Sequence, residues 1–233
     1  MRLSIIIPTY NEEKYLPKLL DTIKRQTLKD YEIIVADAQS KDTTREIAIK
    51  SGARVVEGGL PGAARNRGAS AATGDLFLFL DADVILPHIA FLKEIVTEFE
   101  KKHLSAATCL PIPLSNKKID AVFHGVYNVW VTLIKKHSPH AGGFCILSSR
   151  EAHNHIGGFD ETIRLAEDHD YVKRASKIGA FDILTEKILV SVRRFDRDGR
   201  AAIAVKYLTC EAYLLMGGKV TTDAFKYRFG YDK

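Results

Sequence analysis

The chain has 233 residues, 46% hydrophobic and 27% charged, the balance of a folded globular protein rather than a disordered, collagen-like or coiled-coil one. Lys and Arg number 34 against 29 Asp and Glu, a formal charge of +5. That mild excess suits an anionic ligand or a membrane surface and is not the footprint of a dedicated nucleic-acid binder.

Cys109, Cys145 and Cys210 are odd in number, widely spaced and form no C-x-x-C, which argues against a disulfide framework or a structural zinc. Residues 3–7 run straight into Pro8, too short for a signal peptide, and no run approaches the roughly 20 apolar residues needed to cross a bilayer. The expected setting is reducing and cytoplasmic.

In chain order, residues 3–7 read as an apolar β-branched strand ended by Pro8, and residues 14–26 as a helix with Leu16, Leu19, Leu20 and Ile23 on one face. Strands follow at 32–36, 54–57 and 76–80, with helices at 42–50, capped by Asp42, and 62–72. Strands apolar at every position are buried on both faces, so this β-α alternation predicts a mostly parallel, Rossmann-like sheet flanked by helices. The second half is less regular: helices at 88–103, 119–136, 168–177 and 200–216, strands at 144–148 and 187–192. The expectation is one domain over residues 1–233, with a nucleotide-binding half at 1–86 and an acceptor-binding half at 87–233 that ends in a helix.

Asp81-Ala82-Asp83 leaves the apolar strand Leu76-Phe77-Leu78-Phe79-Leu80. Ligands of open α/β sheets sit beyond the carboxyl ends of strands. Two carboxylates there can hold Mg²⁺, which takes one or two carboxylates plus substrate phosphates; a polar turn with a capping Asp is the plainer alternative. Pro8-Thr9-Tyr10-Asn11-Glu12-Glu13 reads as a strand-to-helix loop, or as one that packs Tyr10 against a base. Asp37, at another strand end, can accept a hydrogen bond from a nucleobase N–H. Arg65 sits in the first turn of a helix, where the dipole disfavours a cation, so it reads either as seeking an anionic or π-rich partner or as forming an ordinary surface salt bridge.

These loops, with Gly157-Gly158-Phe159-Asp160-Glu161 and Glu167-Asp168-His169-Asp170 downstream, resemble family 2 glycosyltransferases of the GT-A fold from about residue 3 to 180. The resemblance implies an inverting hexosyl transfer from a UDP- or GDP-linked sugar to a saccharide or polyprenyl-linked acceptor, assisted by Mn²⁺ or Mg²⁺. By the same likeness Pro8, Thr9, Tyr10, Glu12, Asp37 and Arg65 line the nucleotide pocket. Asp81 reaches the ribose or the metal shell, Asp83 coordinates the cation, and Asp168 is the general base. Ala38 and Gln39 depart from the family, which often has a second Asp and a Gly after the position of Asp37; nucleotide identity is the property this touches.

The chemistry requires neutralising a departing diphosphate, which a divalent cation does as a Lewis acid, and removing a proton from the acceptor hydroxyl, worth 10²–10⁴-fold. Asp168 read in isolation is also an ordinary helix cap, and toward a lipid phosphate, already ionised, it would orient rather than deprotonate. Glu167 precedes it. Gly142 and Gly143 let backbone approach a sugar, and Arg193-Arg194 read either as a surface charge cluster or as phosphate binders. The histidine pairs His137/His140 and His153/His155 read as loop or helix surface rather than as a metal site.

A nucleotidyltransferase and a non-catalytic nucleotide-sugar-binding module remain the alternatives. The first would want a Gly- and Lys-rich loop where Pro8-Thr9-Tyr10-Asn11 stands. Residues 119–134, flanked by Lys117, Lys118, Lys135 and Lys136, and residues 200–216, with Ile203, Val205, Leu208, Tyr213 and Met216, carry more apolar surface than exposed helices need. Peripheral contact with the inner face of a membrane, a homodimer interface and packing into the core are the three readings.

Overall fold

The computed structural model describes residues 2–216 and 218–222. In the first half strand and helix alternate as the apolar runs predict: β1 (Leu3–Thr9), α1 (Leu16–Lys24), β2 (Tyr31–Asp37), α2 (Thr44–Lys50), β3 (Arg54–Glu57), α3 (Pro61–Ala71) and β4 (Leu76–Phe79). Then come β5 (Val84–Ile85), α4 (Phe91–Lys101), β6 (Leu104–Leu114), α5 (Lys118–Ile134), β7 (Ile146–Ser149) and α6 (Arg150–His155). The chain continues through α7 (Glu167–Ala175), β8 (Ala180–Ser191), α8 (Arg193–Asp198) and α9 (Arg200–Leu215).

All the strands join one sheet in the order β3-β2-β1-β4-β7-β6-β8-β5. β1 to β4 pair parallel, as do β6 and β8; β7 runs antiparallel between β4 and β6, and β5 antiparallel to β8. The expected mostly parallel α/β domain is the one that forms. β2 and β4 flank β1 on opposite sides, so the strand order reverses there and opens a crevice beyond the carboxyl ends of all three.

Alternation along β1 explains why its residues are apolar throughout. Leu3, Ile5 and Ile7 pack with Leu16, Leu19, Leu20 and Ile23 of α1 and with Phe91, Leu92 and Ile95 of α4. Ile6 faces the other way, toward Phe77, Phe79, Ala69, Phe159, Tyr171 and Val172. α3 lies so close to the sheet that a Cβ at Gly68 would strike the Ile6 side chain.

Several boundaries differ from expectation. β1 continues through Pro8, because β4 pairs with β1 only as far as Ile6 and the missing N–H breaks no bond to that neighbour. β6 lies where no element is expected, and it contains Pro111 and Pro113. β7 pairs only with residues 106–108 of β6, so beyond them β6 has a strand neighbour on one side alone and alternate prolines fit. β8 begins at Ala180, seven residues before the expected start, because its first half mixes polar and apolar residues. The short helices α6 and α8 are also unanticipated.

Candidate active site

The loops after β1 and β2 are knitted together by Asp37. Its buried carboxylate accepts from Thr9 Oγ1 at 2.9 Å, Ser40 N at 3.0 Å, Ser40 Oγ at 2.5 Å and Arg45 Nη1 at 3.2 Å. Asn11 and Gln39 take left-handed backbone, at φ 55° and 61°, to make these turns. Thr44 Oγ1 accepts from the Glu12 amide at 2.7 Å. Pro8 and Tyr10 are half-buried beside them. Asp37 therefore holds the pocket wall with four protein donors.

Beyond β4, Asp81 and Asp83 each meet an arginine. Arg65, 2% exposed, donates from Nη2 to Asp81 Oδ1 at 2.9 Å and from Nη1 to Glu167 Oε1 at 2.7 Å. Its guanidinium carbon stands 5.4 Å from the centre of the Phe159 ring. α3 begins at Pro61, which puts Arg65 fifth in the helix and beyond the expected first turn, yet it has both an anionic and a π-rich partner. Asp83 Oδ2 lies 2.6 Å from Arg193 Nε, and Arg193 also donates from Nη1 and Nη2 to the two oxygens of Glu12, at 2.6 and 2.7 Å.

The reading of Arg193 as a surface cluster is corrected by this: its side chain is 15% exposed and stacks 4.3 Å over the Tyr15 ring. Arg194 is half-buried and donates to the Tyr207 hydroxyl at 3.2 Å. Burial pushes the carboxyls of Glu12 and Asp83 above the usual range; Arg193 opposes the shift and Asp81 adds to it.

The acid segment meets the same Arg65 through Glu167. Ala166 adopts φ 66°, a strained turn for a residue with a Cβ, directly before Glu167-Asp168. Asp168 Oδ2 accepts from the Gly143 amide at 2.7 Å, and Oδ1 from the His169 amide at 2.9 Å. Burial raises both acids, with Asp168 adding to the shift of Glu167 and Arg65 opposing both. A Cβ at Gly143 would collide with Arg65 and stand 3.2 Å from Asp81 Oδ1, so only glycine lets this backbone reach the site. The Gly157-Gly158-Phe159-Asp160 segment is clamped to α3: Asn66 accepts from Phe159 N at 2.8 Å and donates to its carbonyl at 2.9 Å. Phe159 stacks on Tyr171 with ring centres 4.1 Å apart.

The donor set fits a hard divalent cation. Asp81 and Asp83 offer carboxylate oxygens and the Asp81 side chain is 40% exposed, while Arg193 sits on Asp83 and Glu12, so a cation there would share those carboxylates with it. Two further results depart from the sequence reading. His153, expected at a surface, is buried edge-on against Phe77 and bonds the Tyr171 hydroxyl at 3.0 Å. His140, His169 and Glu211 bring one potential ligand atom each within 4.8 Å of one another, although the histidines read as no metal site. No spacing rule joins residues from a loop and two different helices.

A mostly parallel sheet with paired carboxylates beyond its switch point, and arginines upon them, forms a crevice of the kind in which open α/β folds place their ligands. The comparison with known families is specific. Residues 4–157 match the model of glycosyl transferase family 2, and the chain belongs to that family.

Curated relatives include the poly(ribitol-phosphate) beta-glucosyltransferase of Bacillus spizizenii, 36% identical over 40% of this chain and 16% of that protein. Another is the 4,4'-diaponeurosporenoate glycosyltransferase of Staphylococcus haemolyticus, 37% identical over 43% of this chain and 29% of that protein. The matched region thus spans less than a third of either relative.

Among solved structures, the mannosyltransferase PcManGT of Pyrobaculum calidifontis, in complex with GDP-Man and Mn²⁺, superposes with TM-score 0.67 and 24% identity. It covers 81% of this chain and 56% of that one. S. aureus TarS 1-349 in complex with UDP-GlcNAc gives 0.66 and 21%, over 82% and 58%. The fold is that of the GT-A glycosyltransferases.

Proposed function

We propose that the chain transfers a sugar from a UDP- or GDP-linked donor to an acceptor hydroxyl with inversion. The observation that carries this is the buried Arg65, whose one guanidinium binds Asp81 from the end of β4 and Glu167 from the start of α7. It brings the D-x-D carboxylates and Asp168 to two sides of one crevice. Residues 1–86 then hold the donor and residues 87–233 the acceptor. GDP-Man with Mn²⁺ in one structural neighbour and UDP-GlcNAc in another support the donor class and the cation.

In this reading the loops held by Asp37 present Thr9 and Tyr10 to the base, and Asp81 and Asp83 would hold Mn²⁺ or Mg²⁺. Bound there, the cation supplies Lewis-acid stabilisation of the leaving group. Arg193 and Arg194 add positive charge on the same side. The Gly143 and His169 amides fix the two oxygens of Asp168, and burial keeps its basicity above that of a solvated carboxylate. The Gly142-Gly143 backbone forms the floor under the sugar.

The acceptor side carries a second feature. Val122, Val126, Val129 and Leu133 of α5 are exposed, Leu133 by 73%, with Trp130 beside them. Val205 and Leu208 of α9 are exposed as well, whereas Ile203 is buried. No helix among the described residues is long and apolar enough to cross a membrane. An outward apolar stripe with Lys117, Lys118, Lys135 and Lys136 at its ends suits a helix lying in an anionic interface, and with it a polyprenyl-linked acceptor.

Calorimetric titration with UDP- and GDP-sugars, with and without Mn²⁺, tests the donor site. Binding should require the metal in the wild type and vanish in Asp83→Ala; equal affinity without metal overturns it. The anomeric configuration of the product by NMR decides inversion. Flotation with anionic and neutral vesicles decides the membrane reading, which fails without salt-sensitive binding to the anionic ones.

A further inference from the structure

Behind Asp168, three residues that the transfer reading does not use converge. His140 lies in the loop before Gly142, His169 follows Asp168 on α7, and Glu211 projects from α9. His140 Nδ1 is 2.7 Å from the Ser138 carbonyl, which can only accept, so Nδ1 carries the hydrogen. His140 Nε2 then faces Glu211 Oε1 at 2.9 Å. A neutral ring would oppose lone pair to lone pair there, so a proton or a metal ion belongs between the two atoms.

A proton alone satisfies that pair and leaves His169 unexplained. The His169 ring centre is 4.5 Å from that of His140, and its Nδ1 is buried with no hydrogen-bond partner. We propose that His140, His169 and Glu211 form a second cation site, separate from the Asp81–Asp83 oxygen set and selective for a borderline transition-metal ion of the Zn²⁺ kind.

The chemistry of the donors sets this selectivity. Two imidazole nitrogens and one carboxylate suit Zn²⁺ or Co²⁺, whereas Mg²⁺ prefers oxygen alone. Three protein ligands leave a fourth tetrahedral position for water. Ligand atoms of such a site stand about 3.4 Å apart at bond lengths near 2.0–2.1 Å, and a 4.8 Å envelope closes to that with small side-chain turns. The Ser138 carbonyl already orients His140 as an outer-shell partner does. The ion would fasten α9 to the loop whose Gly143 amide holds Asp168. Its detection needs no turnover, so it stands or falls apart from the transfer reading.

The experiment is a Zn²⁺ titration of chelator-treated full-length protein by calorimetry, with Co²⁺ visible absorption as a second signal. His88→Ala serves as background, because His88, Glu94 and Glu186 make a more exposed cluster that could compete. One site per chain is expected, with intense Co²⁺ bands typical of tetrahedral nitrogen-oxygen ligation and a Zn²⁺-dependent rise in melting temperature. His140→Ala and His169→Ala should each weaken binding about 100-fold. Glu211→Gln, which still hydrogen-bonds His140 and keeps α9 in place, should weaken it about tenfold, and Asp83→Ala should leave it unchanged. The proposal is overturned by absence of the site in the His88→Ala background, by undiminished binding in Glu211→Gln, or by loss of binding in Asp83→Ala.

Discussion

The two halves of the molecule are built on different physics. Around β1 and β4 the sheet is sealed on both faces, and Phe79, fully buried, is ringed by Phe77, His153, Phe159 and Tyr171. Around α5, α8 and α9 many apolar side chains turn outward, and charged pairs join buried Val131 and Ile203 and the half-buried Phe123–Phe195 pair in holding the helices. Asp120, buried in α5, takes two hydrogen bonds from Arg200 at 2.6 and 2.9 Å and one from Ser115 at 2.6 Å, and Arg200 also reaches Asp196 at 2.9 Å. α5 buries Asp120 and Val131 while its apolar stripe faces out. The contrast teaches that fixed carboxylates are backed by core, while the surface of α5 and α9 is tethered by polar contacts that leave its apolar side uncovered.

The largest expected effect lies in the sealed half. Phe79→Ala should cost about 3–5 kcal/mol of global stability, the usual loss for a fully buried aromatic, read as a lower urea midpoint at unchanged slope. A cost below about 1 kcal/mol would erase the proposed difference between the halves. Next is the seam between them. Asp168→Asn keeps the oxygen that accepts from Gly143 but loses basicity, so turnover should fall at least ~10²-fold with donor affinity nearly unchanged. A variant as fast as wild type would leave Asp168 a structural residue.

Acid should loosen the tethered half locally. The Arg200 hydrogen bonds hold the Asp120 carboxyl down at about 2, against an ordinary value of 3.8. A carboxyl depressed by folding adds stability that is complete above its unfolded pKa and lost as pH falls through the folded one. The protection of α9 amides in the wild type, corrected for the intrinsic exchange rate at each pH, should therefore fall between about pH 4 and 2. In Asp120→Asn it should already be low at neutral pH, with little further change over the same window. Equal α9 protection in the two proteins at neutral pH would remove the tether from the account. The smallest effect on folding is expected at Val126, 66% exposed. Val126→Asp should change stability by no more than about 0.5 kcal/mol yet reduce flotation with anionic vesicles; undiminished flotation would move the membrane contact elsewhere.

The amino-acid sequence by itself determined the donor-side framework. Runs such as Ile5-Ile6-Ile7 and Leu76 to Leu80 are apolar at every position because both faces of those strands are covered, and that property is local and readable. The strand ends, and with them Thr9, Asp37, Asp81 and Asp83, follow within a residue or two. Arg65 has the kinds of partner expected of it, although α3 starts earlier than expected and the first-turn argument for them does not apply.

Tertiary structure alone decided the rest. Arg193 meets Glu12 across 181 residues of chain, His140 meets Glu211 across 71, and β6 pairs as a strand despite two prolines because its neighbour stops short. Which way α5 turns its apolar stripe was also outside the reach of periodicity. A hydrophobic repeat fixes that a helix has two faces, but only packing chooses the one that meets the protein, here the face that carries Asp120 to Arg200.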